Sequence, residues 1–193
     1  MYNLTNQKRK TMKIKLIAVT VIMMLAAATS AQKYITKNGD ISFYSSTPVE
    51  DIEAHNNQVN AALDTETGDF VFKVLIKSFK FEKALMQEHF NENYMESHKF
   101  PNATFVGKVK NAGDIDFSKP GKYEAEIEGK LTIHGVTQEI TESGTFEVKD
   151  DGIHGLSKFL VKVADYDIKI PKTVINNIAK EIEVTVDVNL KAL

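Results

Sequence analysis

The sequence predicts a mainly β protein, an antiparallel barrel of about eight strands with one helix, and three observations carry that prediction. Tyr123, Ala125, Ile127, Gly129, Leu131 and Ile133 alternate with Glu124, Glu126, Glu128, Lys130, Thr132 and His134, and Ile182 to Leu190 repeats the pattern. Side chains of a strand switch faces at every residue, so each segment has one dry and one wet face. Turn residues recur at hairpin spacing along the rest of the chain. The period changes from two to about 3.6 once, between Glu82 and Tyr94.

In chain order, Ile41 to Ser46 is the first candidate strand and Pro48 breaks it. Val49 to Ala54 is a weaker candidate, and Val59 to Leu63 ends at the turn Asp64 to Asp69. Phe70, Phe72, Val74 and Ile76 share one face of the next strand, opposite Lys73 and Lys77. Leu85, Met86, His89, Phe90, Asn93 and Tyr94 then form one face of a helix, and Phe100-Pro101 closes the segment because the residue before proline is pushed towards extended geometry. Ala103 to Val109 restarts the alternation, and Pro120-Gly121 turns into the strand from Tyr123. His134-Gly135 fits a two-residue hairpin turn, after which the chain returns through Thr137 to Ile140, Phe146 and Val148. Asp150-Asp151-Gly152 is another turn, Phe159, Val161 and Val163 mark a strand, and Pro171 to Lys180 holds a short helical turn. Closure into a barrel would remove exposed sheet edges. A two-sheet sandwich has the same periodicity.

Residues 1–31 read as a signal peptide and residues 32–193 as a single domain. Lys8, Arg9, Lys10, Lys13 and Lys15 make a basic start, Leu16 to Ala28 is apolar, and Thr29-Ser30-Ala31 supplies small residues for cleavage. Met12 is an alternative initiator. The apolar run is short for a membrane span, and an uncut anchor is the competing reading. Cleavage would leave an exported chain, periplasmic or secreted, with no integral membrane segment. It would also take the formal charge from −2 to about −7. Such an acidic balance disfavours nucleic acid as a partner. With no cysteine, thiol chemistry, thiolate metal sites and disulfides are excluded.

The remaining candidates for chemistry are histidines and carboxylates. His89 on the helix and His98 after it, joined by His55, are the best metal candidates, yet no pair has the i, i+4 spacing of a His-Glu-x-x-His site. His134 reads as a turn residue and His154 as exposed. There is no G-x-S-x-G elbow, and Glu124, Glu126 and Glu128 lie on a wet face. The expectation is therefore no metal, no cofactor, no catalytic residue and no enzyme.

Binding is the better supported reading. Phe70, Phe72, Val74, Ile76, Phe105, Val109, Ile127, Leu131, Phe146 and Val161 would face one interior, with Ile133, Val184 and Val186 beside them. Either they fill it as a dry core or they wall a cavity for one slender apolar ligand. Leu85, Met86, His89 and Phe90 would cap the barrel.

Three segments carry a family resemblance. Gly129 to Ile140, GKLTIHGVTQEI, resembles the glycine, Leu-Thr, Gly-Val-Thr signature of YceI-like exported lipid-binding proteins. Ala84 to Gly107 is similar to that family's helix, its aromatic-Pro pair and its Phe-x-Gly strand entry. Ala164 to Pro171, ADYDIKIP, sits where the family has an aspartate-aromatic segment. The resemblance implies a lipocalin-like barrel, closed at one end by a helix, that holds a polyisoprenoid or similar amphiphile along its axis. A homodimer is compatible with it. Two departures stand out: GDISFYSS lacks a His-Ser pair, and Tyr166-Asp167-Ile168 replaces aromatic-Gly-Ile. The alternatives are a filled structural or interaction barrel and a metal-dependent hydrolase using His89 and His98.

Overall fold

The computed structural model describes residues 32–193, and the segment read as a signal peptide lies outside them. The elements are β1 (Lys33–Ser46), β2 (Asp51–Asp64), β3 (Asp69–Leu75), β4 (Lys80–Phe81), α1 (Ala84–His89), β5 (Asn102–Val109), β6 (Gly121–Ile133), β7 (Val136–Lys149), β8 (Gly152–Lys162) and β9 (Glu181–Ala192). All strand pairings are antiparallel, in the order β1-β9-β8-β7-β6-β5-β3-β2. β2 returns to pair with β1 and closes an eight-stranded ring. The two-residue β4 adds to β2 through Ala54–Phe81 and His55–Lys80. Closure decides for the barrel over the sandwich.

Two of the expected strands are one. The strands expected over Val49 to Ala54 and Val59 to Leu63 merge into the continuous β2, which starts at Asp51 and looks broken in sequence because its parity shifts. Ala54 and Asn56 are buried, and then Val59, Ala61 and Leu63 are. The register against β1 slips at the same place, between Gly39 and Ile41. Asn56 satisfies the irregular backbone: its Nδ2 donates to the Leu75 carbonyl at 3.0 Å, and its Oδ1 accepts from the Gln58 N–H at 2.9 Å. A bulge adds one residue to a strand and so defeats strict alternation.

Other boundaries move as well. β1 starts at Lys33, not Ile41, and Ile76 opens a 3-10 turn, Ile76–Ser78, instead of ending β3. The helix expected over Glu82 to Tyr94 is α-helical only through His89, and Phe90–Tyr94 continues as a π turn. The Asn91 side chain donates to the Gln87 carbonyl at 2.8 Å, taking the acceptor its own N–H would use in an α-helix. Met95 N–H correspondingly reaches five residues back to Phe90. His134 and Gly135 both adopt positive φ, 50° and 76°, which is the two-residue hairpin turn expected there. Asp167, which departs from the glycine of the resembled aromatic-Gly-Ile segment, also takes the left-handed conformation, at φ 54°.

Two groups of buried side chains occupy the ends of the barrel. One end is solid: Tyr34, Leu63, Phe70, Val109, Phe146, Ile153, Val188 and Leu190 pack together there. The other holds Ala54, Val59, Val74, Ile76, Phe79 and Met95, with Phe43, Phe81 and Phe90 against them. Phe72 touches both groups.

Candidate functional site

Along β9 the inward residues change character halfway. Val188 and Leu190 are 1% exposed, whereas Ile182, Val184 and Val186, on the same face, are only half-buried. β6 does the same, with Ala125 buried and Ile127, Leu131 and Ile133 half-buried. Inward apolar side chains that remain accessible are lining a space. That space is a cavity of about 550 Å3 between the two packed ends.

Of the ten expected wall residues, Phe70, Phe72, Val74, Ile76, Phe105, Ile127, Leu131, Phe146 and Val161 line this cavity. Val109 does not; it is 3% exposed within the solid end, beside Ile115 and Phe70. The expectation placed it on the wall from parity, and parity does not report height along the barrel. Phe105 lines the wall and also covers a cross-strand glycine pair, since Gly107 opposes Gly129 and a Cβ on Gly129 would lie 2.8 Å from its Cζ. The ring fills the space two missing side chains leave.

Leu85, Met86, His89 and Phe90 all face the cavity, although Leu85 is largely exposed at its rim. The helix is fastened by rings that the sequence reading left out of the site. Phe90 stacks on Phe43 with centroids 5.4 Å apart and lies 5.0 Å from Phe81 and 5.6 Å from Phe79. Aromatic pairs at such separations add to simple burial. Phe43 was legible, since it shares parity with Ile41. Phe79 and Phe81 follow a 3-10 turn that resets the alternation, so no strand signal marked them.

Polar groups gather at the rim. Glu50, in the β1–β2 turn, lies 3.4 Å from Lys83 Nζ, and the Asn177 Nδ2 donates to its other oxygen at 3.2 Å. This carboxylate therefore ties the start of α1 to the segment before β9. Ser45, 2% exposed, accepts from the Ala179 N–H at 2.9 Å and holds the same segment. Deeper in the wall stands Glu142, whose carboxyl burial raises above the usual range.

The histidines do not converge. His89 and His98 are both exposed, His55 sits at the surface 3.1 Å from Glu53, and among the described residues no three His, Asp or Glu side chains form a metal-binding group. His154 is not the open residue expected; it is half-buried, 2.8 Å from Asp187 and 3.7 Å from Glu147. His134 proves more than a turn residue. Its ring, 10% exposed, lies 3.2 Å from both the Glu96 carboxylate and the Tyr166 carbonyl and packs edge-on against Phe100. Among the described residues no helix is long and apolar enough to cross a membrane.

Comparison with known proteins agrees with this architecture. The fold is similar to a polyisoprenoid-binding domain from Saccharophagus degradans implicated in plant cell wall breakdown, with TM-score 0.72 and 16% identity over 84% of this chain and 99% of that one. BcnA of Burkholderia cenocepacia gives 0.65 at 17% identity, covering 79% of this chain and 95% of that one. A Campylobacter jejuni YceI protein with a monobromobimane guest gives 0.55 at 16% identity, covering 72% and 84%. At these identities the likeness concerns the fold. No curated protein matches the sequence significantly. The model of the YceI-like domain matches residues 32–190, nearly the whole of the described barrel, and the chain belongs to the YceI-like family.

Proposed function

We propose that this protein is an exported carrier that sequesters a polyisoprenoid or similar long-chain amphiphile in its barrel, tail inward and polar end towards the rim. The observation that carries the reading is the apolar cavity of about 550 Å3, walled by strand residues that stay accessible in the middle of the barrel. Its volume is that of a small-molecule site, and its lining suits a hydrocarbon better than a sugar or nucleotide. Burying about ten methylenes gives on the order of 8 kcal/mol gross, and enough survives the ordering costs of association for useful affinity. The relative from Saccharophagus degradans, described as polyisoprenoid-binding, supports the ligand class. Export is supported by the basic and apolar pattern of residues 1–31. On this reading the protein binds and does not catalyse.

Native mass spectrometry of the purified protein, before and after organic extraction, is the test. The expected result is a co-purifying isoprenoid, or stoichiometric uptake of added prenyl chains. A protein that neither carries nor takes up such chains would overturn the carrier reading.

A further inference from the structure

Glu142 is out of character with the wall it stands in. It lies on the inward face of β7 with Ile140 and Phe146 and opposes Ile127 across the β6–β7 ladder. On its other side the barrel parts: β7 pairs with β8 only from Lys149 to Gly144, while β8 runs on from Ser157 to Lys162 against β9 alone. Phe159 and Val161 of that diverging stretch line the same cavity. The carboxyl thus sits among apolar side chains two residues past the last β7–β8 pair.

Half-buried in this wall, it has no hydrogen-bond partner among the described residues. Desolvation acts on its carboxyl without opposition from any hydrogen bond or cation. Tyr166, in the turn after β8, lies within reach of its charge; that residue is buried, and its phenol is raised by burial first and then by the charges of Asp165 and Glu142. Three other polar wall residues are engaged: Glu50 holds Lys83 and Asn177, Ser45 takes the Ala179 N–H, and Ser157 Oγ donates to the Ser143 carbonyl. Tyr94, also in the lining, is neutral at ordinary pH, so Glu142 is the acidic group of the wall without an ionic partner among the described residues. An unpaired polar group in an apolar wall carries a desolvation cost that a complementary ligand group recovers.

We propose that Glu142 is a specificity-determining contact of the cavity, hydrogen-bonding an uncharged oxygen of the bound isoprenoid, a hydroxyl or a carbonyl, and disfavouring a phosphorylated one. Ionised, it accepts from a hydroxyl; protonated, it donates to a carbonyl or ether oxygen. A phosphate beside it brings like charges together where water screens them poorly. The inference rests on the carrier reading and narrows it to chains ending in an uncharged hydroxyl or carbonyl.

The test uses delipidated protein and three probes of one chain length: farnesol, farnesyl phosphate and the hydrocarbon farnesene. Wild type should bind farnesol about tenfold more tightly than either of the others, the worth of one net hydrogen bond. Glu142→Leu should erase that preference and leave farnesene affinity unchanged or slightly improved, while Glu142→Gln, which keeps a donor and an acceptor, should retain part of it. Thermal melts of both variants establish that they fold. Equal farnesol preference in wild type and Glu142→Leu, with farnesene still bound, overturns the role of Glu142 alone. Failure of wild type to bind any of the three overturns the carrier reading and this inference with it.

Discussion

The imidazole of His134 bridges two acceptors, with Nε2 3.2 Å from the Glu96 carboxylate and Nδ1 3.2 Å from the Tyr166 carbonyl. Both ring nitrogens are thus engaged, one by a side chain and one by the backbone. The β6–β7 turn is thereby pinned to the segment after α1 and to the turn after β8.

His134→Asn is the informative variant, because Asn accepts the positive φ of the turn but does not reach both partners. Losing the bridge should cost about 1–2 kcal/mol, measured by denaturant unfolding. The pH dependence follows from Glu96, whose carboxyl is held below its usual value by hydrogen bonds from Lys99 and then His134. A depressed carboxyl stabilises the fold above its unfolded value, and that contribution disappears as pH falls through the lower folded value. Wild type should therefore lose stability on acidification below the ordinary carboxylate range more steeply than His134→Asn. Parallel acid profiles for the two proteins would show that the bridge contributes nothing.

Phe146 and Phe72 separate the solid end from the cavity. Phe146 is 2% exposed and packs edge-on against Phe70, with centroids 5.7 Å apart, so Phe146→Ala should cost about 3–5 kcal/mol. Phe72 is half-buried against the cavity, and Phe72→Ala should cost the empty protein about 1–2 kcal/mol while weakening retention of an isoprenoid. Equal losses of stability on chemical unfolding would mean that the barrel is filled at Phe72.

Gly129 has no room for a side chain. A Cβ there would meet the Gly107 Cα at 2.5 Å and the Phe105 Cζ at 2.8 Å. Gly129→Ala should cost about 1–3 kcal/mol and push the Phe105 ring into the cavity. Thermal melts and a reduced isoprenoid stoichiometry check the two consequences separately.

Glu50 ties both sides of the rim, and exposed ion pairs of this kind contribute little to stability. Glu50→Ala should change stability by less than about 1 kcal/mol. Exchange of a bound fluorescent prenyl probe should be several-fold faster, because α1 and the segment around Asn177 lose their common partner. Unchanged exchange in stopped-flow displacement would place ligand entry elsewhere.

How much was legible in advance followed the range of the interactions concerned. β6, β9 and the His134-Gly135 turn were readable because alternation and positive φ are properties of neighbouring residues. Eight of the ten expected wall residues are strand residues that line the cavity for the same reason, since parity sets the face of a strand, and Ile76 lines it from the 3-10 turn that follows β3. Val109 was misplaced because parity is blind to height. β2 was read as two strands because the shift at Asn56 reverses parity within it. The rings of Phe79 and Phe81 escaped notice because the 3-10 turn before β4 resets the count.

By itself, then, the sequence determined that this is an antiparallel β protein with one helix and a continuous apolar face, because strand and helix periods are written locally. Only the tertiary structure decided that β2 returns to β1, that the middle of the barrel is hollow while one end is solid, and that Glu142 stands in its apolar wall. Those depend on which distant residues meet across the barrel, and a cavity is a space left by many side chains at once, which no single segment encodes.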